Sequence, residues 1–343
     1  MKQRPEHFRL SEYLLFFAVT LLTLLFCVCA GSVRIPLQQT ASIVWAALCG
    51  LSDAGDPAAA IILSVRLPRV LCTALTGANL SLCGAAMQGL LKNPLADGST
   101  IGVSSGAALG AALSIALGIT LPGFSMAGTM AMAMLFAFLS LILILSLAWR
   151  LDRSLSTSTI ILIGVIYSMF VSSAMNLIVA FAGERMRSIT FWTMGSLQGS
   201  TYLNAGILCA ALLLFGGVLL SHAQELNAFA VGEDNARHIG VDVRRVRLTV
   251  LICVSVLIGV CVSVGGSIAF VGLVTPHMVR LITGPNHRRL LPASAFAGAV
   301  FLMLCDLAAR TALPPLDLPV GAVTSLIGAV VFVCIFYRTR KER

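Results

Sequence analysis

Long stretches without a charged side chain dominate this sequence. The longest one runs from Gly98 to Trp149 and covers 52 residues. Hydrophobic residues make up 58% of the chain and charged residues only 11%, whereas soluble domains carry roughly 25% charged residues. A soluble fold of 343 residues cannot bury so much apolar surface. These stretches therefore predict segments that lie in a lipid bilayer.

The apolar stretches are continuous, which favours transmembrane helices over a transmembrane β-barrel. A barrel strand alternates between lipid-facing apolar residues and lumen-facing polar residues. The chain also contains 30 Gly, and small residues let membrane helices approach one another closely. We therefore predict an all-α, polytopic membrane protein.

Charged residues and Gly or Pro breaks divide the chain into about ten spans of about 20 residues. The 52-residue stretch is divided at Pro122–Gly123. The 32 residues Leu248–Val279 are divided at Gly265–Gly266, since one helix of that length would be about 48 Å long. In a single domain covering 1–343, the predicted spans are 13–33, 67–91, 100–119, 125–149, 157–181, 201–221, 247–265, 268–283, 290–310 and 318–337.

The first apolar run could also be the core of a signal peptide, because Lys2, Arg4 and Arg9 precede it. It extends from Tyr13 to Val33, which is 21 residues without a charge. A signal-peptide core has only about 7–15 residues. We therefore predict that this run is the first span.

The positions of the Lys and Arg residues predict that both termini are cytoplasmic. With ten spans, the termini and the loops near 92–97, 150–153, 222–247 and 280–289 hold 17 of the 23 Lys and Arg residues. This excess on one side is what the positive-inside rule requires. The net charge of +9 thus indicates topology, and no nucleic-acid partner is predicted.

Residue patterns typical of enzymes are absent from the sequence. A P-loop requires Lys between Gly and Ser or Thr, and Lys2, Lys92 and Lys341 have no such neighbours. The ten Cys residues form no CxxC pair, so neither a zinc site nor disulfides are expected. We predict that the chain is not an enzyme and holds no metal or cofactor of its own.

The longest polar stretch, Glu225–Arg247, has 23 residues and carries the signals of a short helix. Glu233 begins this helix and Arg237 lies near its end, an order of charges that suits the helix dipole. The two residues are four apart, so an ion pair between them would add roughly 0.2–0.5 kcal/mol. Gly232 permits a sharp break before the helix, and Gly240 follows as a stop signal.

This polar stretch also contains apolar residues for which the chain has no soluble domain. They are Leu226, Phe229, Val231 and Ile239. A groove in a partner protein is the contact that we expect for them. The alternative is that the stretch is a solvated connector between two spans.

Charge within the spans is scarce, which argues against an ion-coupled secondary transporter. Such carriers keep ionisable residues near the middle of the membrane. The best candidate, Asp306, lies four residues before Arg310. Both share one helix face, so we expect a structural ion pair near the outer end of the ninth span.

A series of motifs in order along essentially the whole chain resembles the FecCD-type ABC permeases. The motifs are RLPR at 66–69, GAAMQG at 84–89, NPLAD at 93–97, GVSSGA at 102–107, FWTMGSL at 191–197, FVGL at 270–273 and LPVG at 318–321. Each motif alone is weak, and the ordered series is specific. Gly98, Thr275 and Asp317 depart conservatively from the family pattern.

The resemblance implies the membrane-spanning permease subunit of an ABC importer for ferric siderophores, haem or cobalamin, in a bacterial or archaeal cytoplasmic membrane. Ferric siderophore is the first choice of cargo, because most members of the family carry it. The implied partners are a second permease copy in a homodimer or similar heterodimer, two ATPase subunits that use the ATP, and an extracytoplasmic substrate-binding protein.

The resemblance also implies roles for individual residues. The resemblance assigns docking of the binding protein to Arg66, Arg69 and Arg310. The alternative role of these arginines is snorkelling to the membrane interface. Coupling to the ATPase falls on Leu226, Phe229, Gly232, Glu233, Ala236, Arg237 and Gly240. The translocation path and cytoplasmic gate fall on Met87, Gln88, Asn93, Leu95, Thr157, Ser158 and Trp192. Helix capping is the alternative for the Ser and Thr residues at 154–159.

Overall fold

A computed structural model describes residues 8–31, 33, 35–50, 56–119, 127–153, 156–314 and 316–341. Throughout this described part the chain forms helices joined by short turns, with no extended strand. The prediction of an all-α polytopic protein is confirmed. In chain order the helices are α1 (Leu10–Cys29), α2 (Leu37–Leu48), α3 (Pro57–Leu90), α4 (Val103–Leu117), α5 (Ala127–Leu151), α6 (Thr157–Phe181), α7 (Met186–Thr193), α8 (Tyr202–Ser221), α9 (Ala223–Val231), α10 (Glu233–His238), α11 (Val243–Gly265), α12 (Val271–Thr283), α13 (His287–Thr311) and α14 (Val320–Lys341).

Ten of these helices lie at the positions of the ten predicted spans. Within the described residues, seven are long and apolar enough to cross a membrane, namely α1, α3, α5, α6, α8, α11 and α13. The other three, α4, α12 and α14, are shorter or only partly apolar. The largest difference in bounds is at α3, which begins at Pro57 rather than at 67. The predicted break at Pro122–Gly123 lies outside the described residues.

The helix α3 contains one wide π-helical turn, Ile61–Arg66, and Pro68 explains it. Proline lacks an N–H, and its ring clashes with the carbonyl four residues earlier in a regular helix. The N–H of Leu67 bonds to the carbonyl five residues back, so the Leu63 carbonyl loses its helical donor. The hydroxyl of Tyr202 donates to that carbonyl at 2.5 Å, which ties α3 to the start of α8.

The helix α3 lies at the centre of the bundle and crosses its neighbours at glycines. A Cβ atom added at Gly77 would overlap the carbonyl oxygen of Gly298 in α13, and one added at Gly84 would overlap that of Gly272 in α12. Backbones in membrane proteins approach this closely only where side chains are small. These four glycines therefore set the packing of three helices.

The helices α11 and α12 are separated by residues 266–270, next to the predicted Gly265–Gly266 break. Gly266 has φ +68°, and the carbonyl of Gly265 accepts a hydrogen bond from the Ser196 N–H at 2.8 Å. Phe270 also has φ +68°, a conformation that is uncommon for a bulky residue. The break is therefore a well-defined turn, and α12 begins directly after it.

Candidate functional site

The arginines predicted to dock a binding protein converge on one carboxylate. Arg69 of α3 lies 2.9 Å from Asp306 and 2.7 Å from Asp317, measured between nitrogen and oxygen atoms. Nε of Arg310 lies 3.3 Å from Oδ2 of Asp306. The predicted pair four residues apart in α13 is therefore present, and it belongs to a network that also includes α3 and the segment before α14.

Backbone carbonyls at the end of α1 hold two of these arginines. Arg66 donates to the carbonyls of Val28 and Cys29, each at 3.1 Å. Arg310 donates to the carbonyl of Cys27 at 2.6 Å. The last carbonyls of a helix have no intrahelical donor and carry the negative end of the helix dipole. The guanidinium groups therefore complete the C-terminal end of α1.

The burial of this network changes the docking prediction. Arg66, Arg69 and Arg310 are 5%, 7% and 4% exposed, so a carboxylate on another protein cannot reach them in this arrangement. The docking role implied by the resemblance requires arginines that another protein can reach, and the structure shows these three buried. In this conformation the three arginines join α1, α3 and α13. Their docking role stays a prediction, and it requires the network to open.

The predicted coupling segment folds as two short helices, α9 and α10, with a sharp break between them. Gly232 lies at the break with φ +143° and ψ +146°, a combination that residues with a Cβ rarely adopt. Gly240, just after α10, has φ +90°. Both glycines lie where the sequence predicts a break and a stop.

The four apolar residues of this segment divide into two pairs. Leu226 and Phe229 are completely buried in the chain's own core, whereas Val231 and Ile239 are 73% and 72% exposed. The expectation that all four need a partner's groove is wrong for Leu226 and Phe229, because α9 packs on α3 and α13. Ala236 is also fully buried. The exposed pair provides an apolar surface on both sides of the break.

Ion pairing in the segment also differs from the prediction. Glu233 pairs with Arg247 of α11, whose side chain is 1% exposed. Arg237 pairs instead with Asp234 at 3.2 Å on the surface. The expected pair between Glu233 and Arg237 is not formed, since the buried guanidinium of Arg247 takes the carboxylate. This contact fixes α10 to the start of α11.

Asn227 connects the segment to α13, a role that sequence reasoning missed. Its side chain donates to Asn286 at 2.9 Å and accepts from the backbone N–H of His287 at 2.8 Å. The sequence signal is one polar residue, Asn227, next to the apolar Leu226 at the start of the segment, and it does not reveal the partner. Both ends of the segment are thus held to long helices.

Two residues predicted for the translocation path lie inside the chain. Met87 is fully buried and Gln88 is 2% exposed. The amide of Gln88 donates to the carbonyl of Leu273 at 3.2 Å and accepts from Arg280 at 3.3 Å. These contacts join α3 to α12. Neither residue presents its side chain to an opening in this conformation, so their role in the path stays a prediction and requires these contacts to rearrange.

The residues predicted for the gate are more accessible. Leu95 is 53% exposed, in a turn where its N–H donates to the Asn93 side chain at 2.9 Å. Ser158 is exposed and Thr157 is half-buried at the start of α6. The side chain of Ser156 caps that helix, so helix capping explains one of the Ser and Thr residues at 154–159. Of this run, Ser154 lies outside the described residues.

Another predicted path residue, Trp192, is half-buried and packs against the core of the chain. Its carbonyl oxygen lies against Gly266, where an added Cβ would overlap it. The backbone of the short helix α7 therefore supports the turn between α11 and α12, and the path role of Trp192 stays a prediction.

An exposed polar patch on the second half of α6 was not predicted. Ser172, Ser173 and Asn176 are all exposed, and the other residues of the stretch 169–181 are apolar. The hydroxyl of Ser173 donates to the carbonyl of Met169 at 3.1 Å. An amide is costly to leave against hydrocarbon, so this face suits water or another protein. The signal was the three-to-four-residue spacing of polar residues in an apolar run.

These features define a polytopic helical membrane protein in which an ion-pair network joins α1, α3 and α13 and two short helices lie between spans. The chain matches the FecCD transport family over residues 19–338, and it belongs to that family of ABC transporter permeases. The resemblance seen in the motifs is therefore confirmed. Subunits of this family are the membrane-spanning parts of transporters and are not themselves enzymes.

Relatives along the whole chain agree with this assignment. The chain is 41% identical to the uncharacterized ABC transporter permease protein YvrB of Bacillus subtilis, over 98% of this chain and 96% of that protein. It is 38% identical to the cobalamin import system permease protein BtuC of Halobacterium salinarum, over 84% and 76%. A solved structure described as a metal-chelate type ABC transporter in an inward-facing conformation superposes with a TM-score of 0.82 at 31% identity, over 94% and 97%.

Proposed function

We propose that this chain forms the translocation pathway of an ABC importer for a metal chelate, with a ferric siderophore as the first candidate cargo. The polar patch of α6, formed by Ser172, Ser173 and Asn176, is the observation that carries this proposal. Hydroxyl and amide groups on the exposed face of a span provide hydrogen bonds to a bulky polar ligand inside the membrane. The pathway would lie where this face meets a second permease copy.

The coupling segment supports the role of a separate ATPase in this proposal. Val231 and Ile239 are exposed on short helices that are fixed at Glu233 and Asn227 to long helices of the bundle. An apolar surface on rigidly held helices transmits a displacement of the bound ATPase to the bundle, whereas a flexible, solvated connector would not. We propose that one ATPase subunit receives this surface on the cytoplasmic side of each permease copy.

The arginine network supports docking of a substrate-binding protein on the opposite side. Asp317 is the most exposed member of the network, with 25% of its side chain accessible. We propose that acidic groups of the binding protein replace Asp317 and Asp306 as partners of Arg69. Docking would thereby loosen the contacts that hold α1, α3 and α13 together at the outer end.

Uptake by the reconstituted complex tests the proposed cargo. The permease would be combined in proteoliposomes with its ATPase and its binding protein, and accumulation of a radiolabelled ferric siderophore, haem and cobalamin would be compared. We expect ATP-dependent accumulation of the ferric siderophore, reduced in Asn176→Leu and unchanged in Ile142→Leu, an exposed position on α5. Accumulation of cobalamin alone would instead support the cobalamin alternative, which the 38% identical relative favours.

A further inference from the structure

A groove of about 660 Å³ separates the N-terminal half of α1 from α12 and α13. The buried residues of α1, Cys27 and Val28, lie near its C-terminal end. The N-terminal half contacts α13 through Glu12 and Arg289 and through the rings of Phe16 and Phe296, whose centroids are 5.9 Å apart, and the groove lies beside these contacts. The walls of the groove are apolar and include Phe16, Val19, Met278, Ile282, Phe296 and Phe301. Its volume is within the range of about 300–1,000 Å³ that is usual for ligand sites.

One end of this groove carries charge. Arg289, in the first turn of α13, donates to Glu12 of α1 at 3.2 Å, and its guanidinium carbon lies 4.4 Å from the centre of the Phe8 ring. Arg289 is only 8% exposed, but its side chain lines the groove and can be reached from it, and its Nε has no hydrogen-bond acceptor among the described residues. Arg9, which is exposed and directly precedes α1, donates its backbone N–H to the Glu12 carboxylate at 2.7 Å, so a second cationic residue lies next to this carboxylate. Among the described residues, two arginines and one carboxylate therefore lie at the charged end.

We propose that this groove binds an anionic phospholipid, with an acyl chain between α1 and α13 and the phosphate at Arg289 and Arg9. An apolar channel with a cationic mouth matches a ligand that has an apolar chain and an anionic head. By the topology proposed from the Lys and Arg distribution, the mouth lies at the cytoplasmic surface. Basic pockets between helices on that side bind anionic lipid head groups.

The position of the site connects lipid binding to the coupling segment. The first turn of α13 contains Arg289 and also His287, whose backbone N–H donates to Asn227 of the coupling segment at 2.8 Å. A head group held at Arg289 would fix the turn on which α9 is anchored. The bound lipid is thus a regulator of the contact between the permease and its ATPase. The binding itself does not depend on which cargo the transporter carries.

Native mass spectrometry of the purified full chain tests the site. Phosphatidylglycerol and phosphatidylcholine with identical acyl chains would be titrated separately. We expect saturable binding with preference for phosphatidylglycerol. Ala297→Trp, which fills the groove, should abolish that binding, whereas Ile142→Trp at an exposed position of α5 should leave it unchanged. Arg289→Gln should reduce the preference about fivefold, the effect of one interfacial cation.

Photoactivatable phosphatidylglycerol provides a second test that needs no variant. Cross-links to peptides of α1, α12 and α13 in the wild-type chain support the site, and cross-links confined to other helices overturn it. Equal binding of the two lipids by the wild-type chain would contradict the proposed role of the cations. Equal binding of phosphatidylglycerol by Ala297→Trp and the wild type would contradict the groove.

Discussion

Arg69 of α3 and Asp306 of α13 form a buried ion pair, with 2.9 Å between Nη2 and Oδ1. The two residues are 237 positions apart in the sequence. Asp306 is 1% exposed and also faces Arg310, so its carboxylate is shared by two buried guanidinium groups, of which Arg69 also pairs with Asp317. A buried charge that loses its partner destabilises a fold strongly, because it has already lost its hydration.

Asp306→Asn should therefore lower the stability of the purified protein by about 3–5 kcal/mol. Thermal unfolding in detergent, followed by circular dichroism, measures this effect. Asp234→Asn is the matched control, since Asp234 forms an exposed pair with Arg237 and such pairs contribute about 0–1 kcal/mol. Equal melting temperatures for the two variants would show that the buried network does not stabilise the fold.

Asp317→Asn should strengthen binding of the substrate-binding protein. This change releases one partner of Arg69 while Asp306 still balances the charge. We expect the dissociation constant to fall roughly two- to fivefold, as about 0.4–1 kcal/mol of electrostatic interaction would produce. Surface plasmon resonance at low and high ionic strength measures the change, which should shrink with salt. Weaker binding by this variant would oppose the proposed exchange of partners.

Val231→Asp should impair association with the ATPase without impairing folding. Val231 is 73% exposed, so a carboxylate there stays hydrated but cannot enter an apolar groove. Phe229→Asp should instead prevent folding, because Phe229 is fully buried. Co-purification with the ATPase measures the first effect and yield of monodisperse protein the second. Leu151→Asp, an exposed apolar position outside the segment, should change neither result.

Gly232→Ala should weaken coupling between ATP hydrolysis and uptake. The φ of +143° at Gly232 makes a Cβ cost about 1–3 kcal/mol, so the angle between α9 and α10 is expected to relax. Gly206→Ala is the control, since Gly206 lies within α8 and no described residue comes within 4 Å of its added Cβ. The ratio of cargo imported to ATP hydrolysed measures coupling. A ratio unchanged from the wild type would mean that the sharp break is dispensable.

The positions of the spans were predictable because apolar runs must match the thickness of the membrane. Long-range partners were not predictable. The span count placed Arg69 at the outer end of α3, but its burial depends on Asp306 and Asp317, 237 and 248 residues away. Local sequence likewise showed that Phe229 is apolar without showing whether a partner or the chain's own core covers it. Contacts of α9 with α3 and α13 decide that question.

The exposed turn at Leu95 makes the gate prediction testable by cross-linking. The 3₁₀ turn Gly98–Ile101, just after Leu95, contacts α6, whose first residues Thr157 and Ser158 belong to the same predicted gate. Movement of α6 would therefore be transmitted to Leu95. In a dimer whose two gates meet at the axis, the distance between the two copies of Leu95 should change as the ATPase subunits bind ATP.

Leu95→Cys should form a disulfide across the dimer in one nucleotide state and not in the other. Cys49 and Cys334 are the exposed native cysteines among the described residues, so both are first replaced by Ser. Mild oxidation of the reconstituted complex with and without ATP, followed by non-reducing electrophoresis, measures the cross-link. Leu151→Cys, also exposed but outside the predicted gate, should show no nucleotide dependence. A cross-link at Leu95 of equal yield in both states would indicate a static turn, because a gate must change its width during transport.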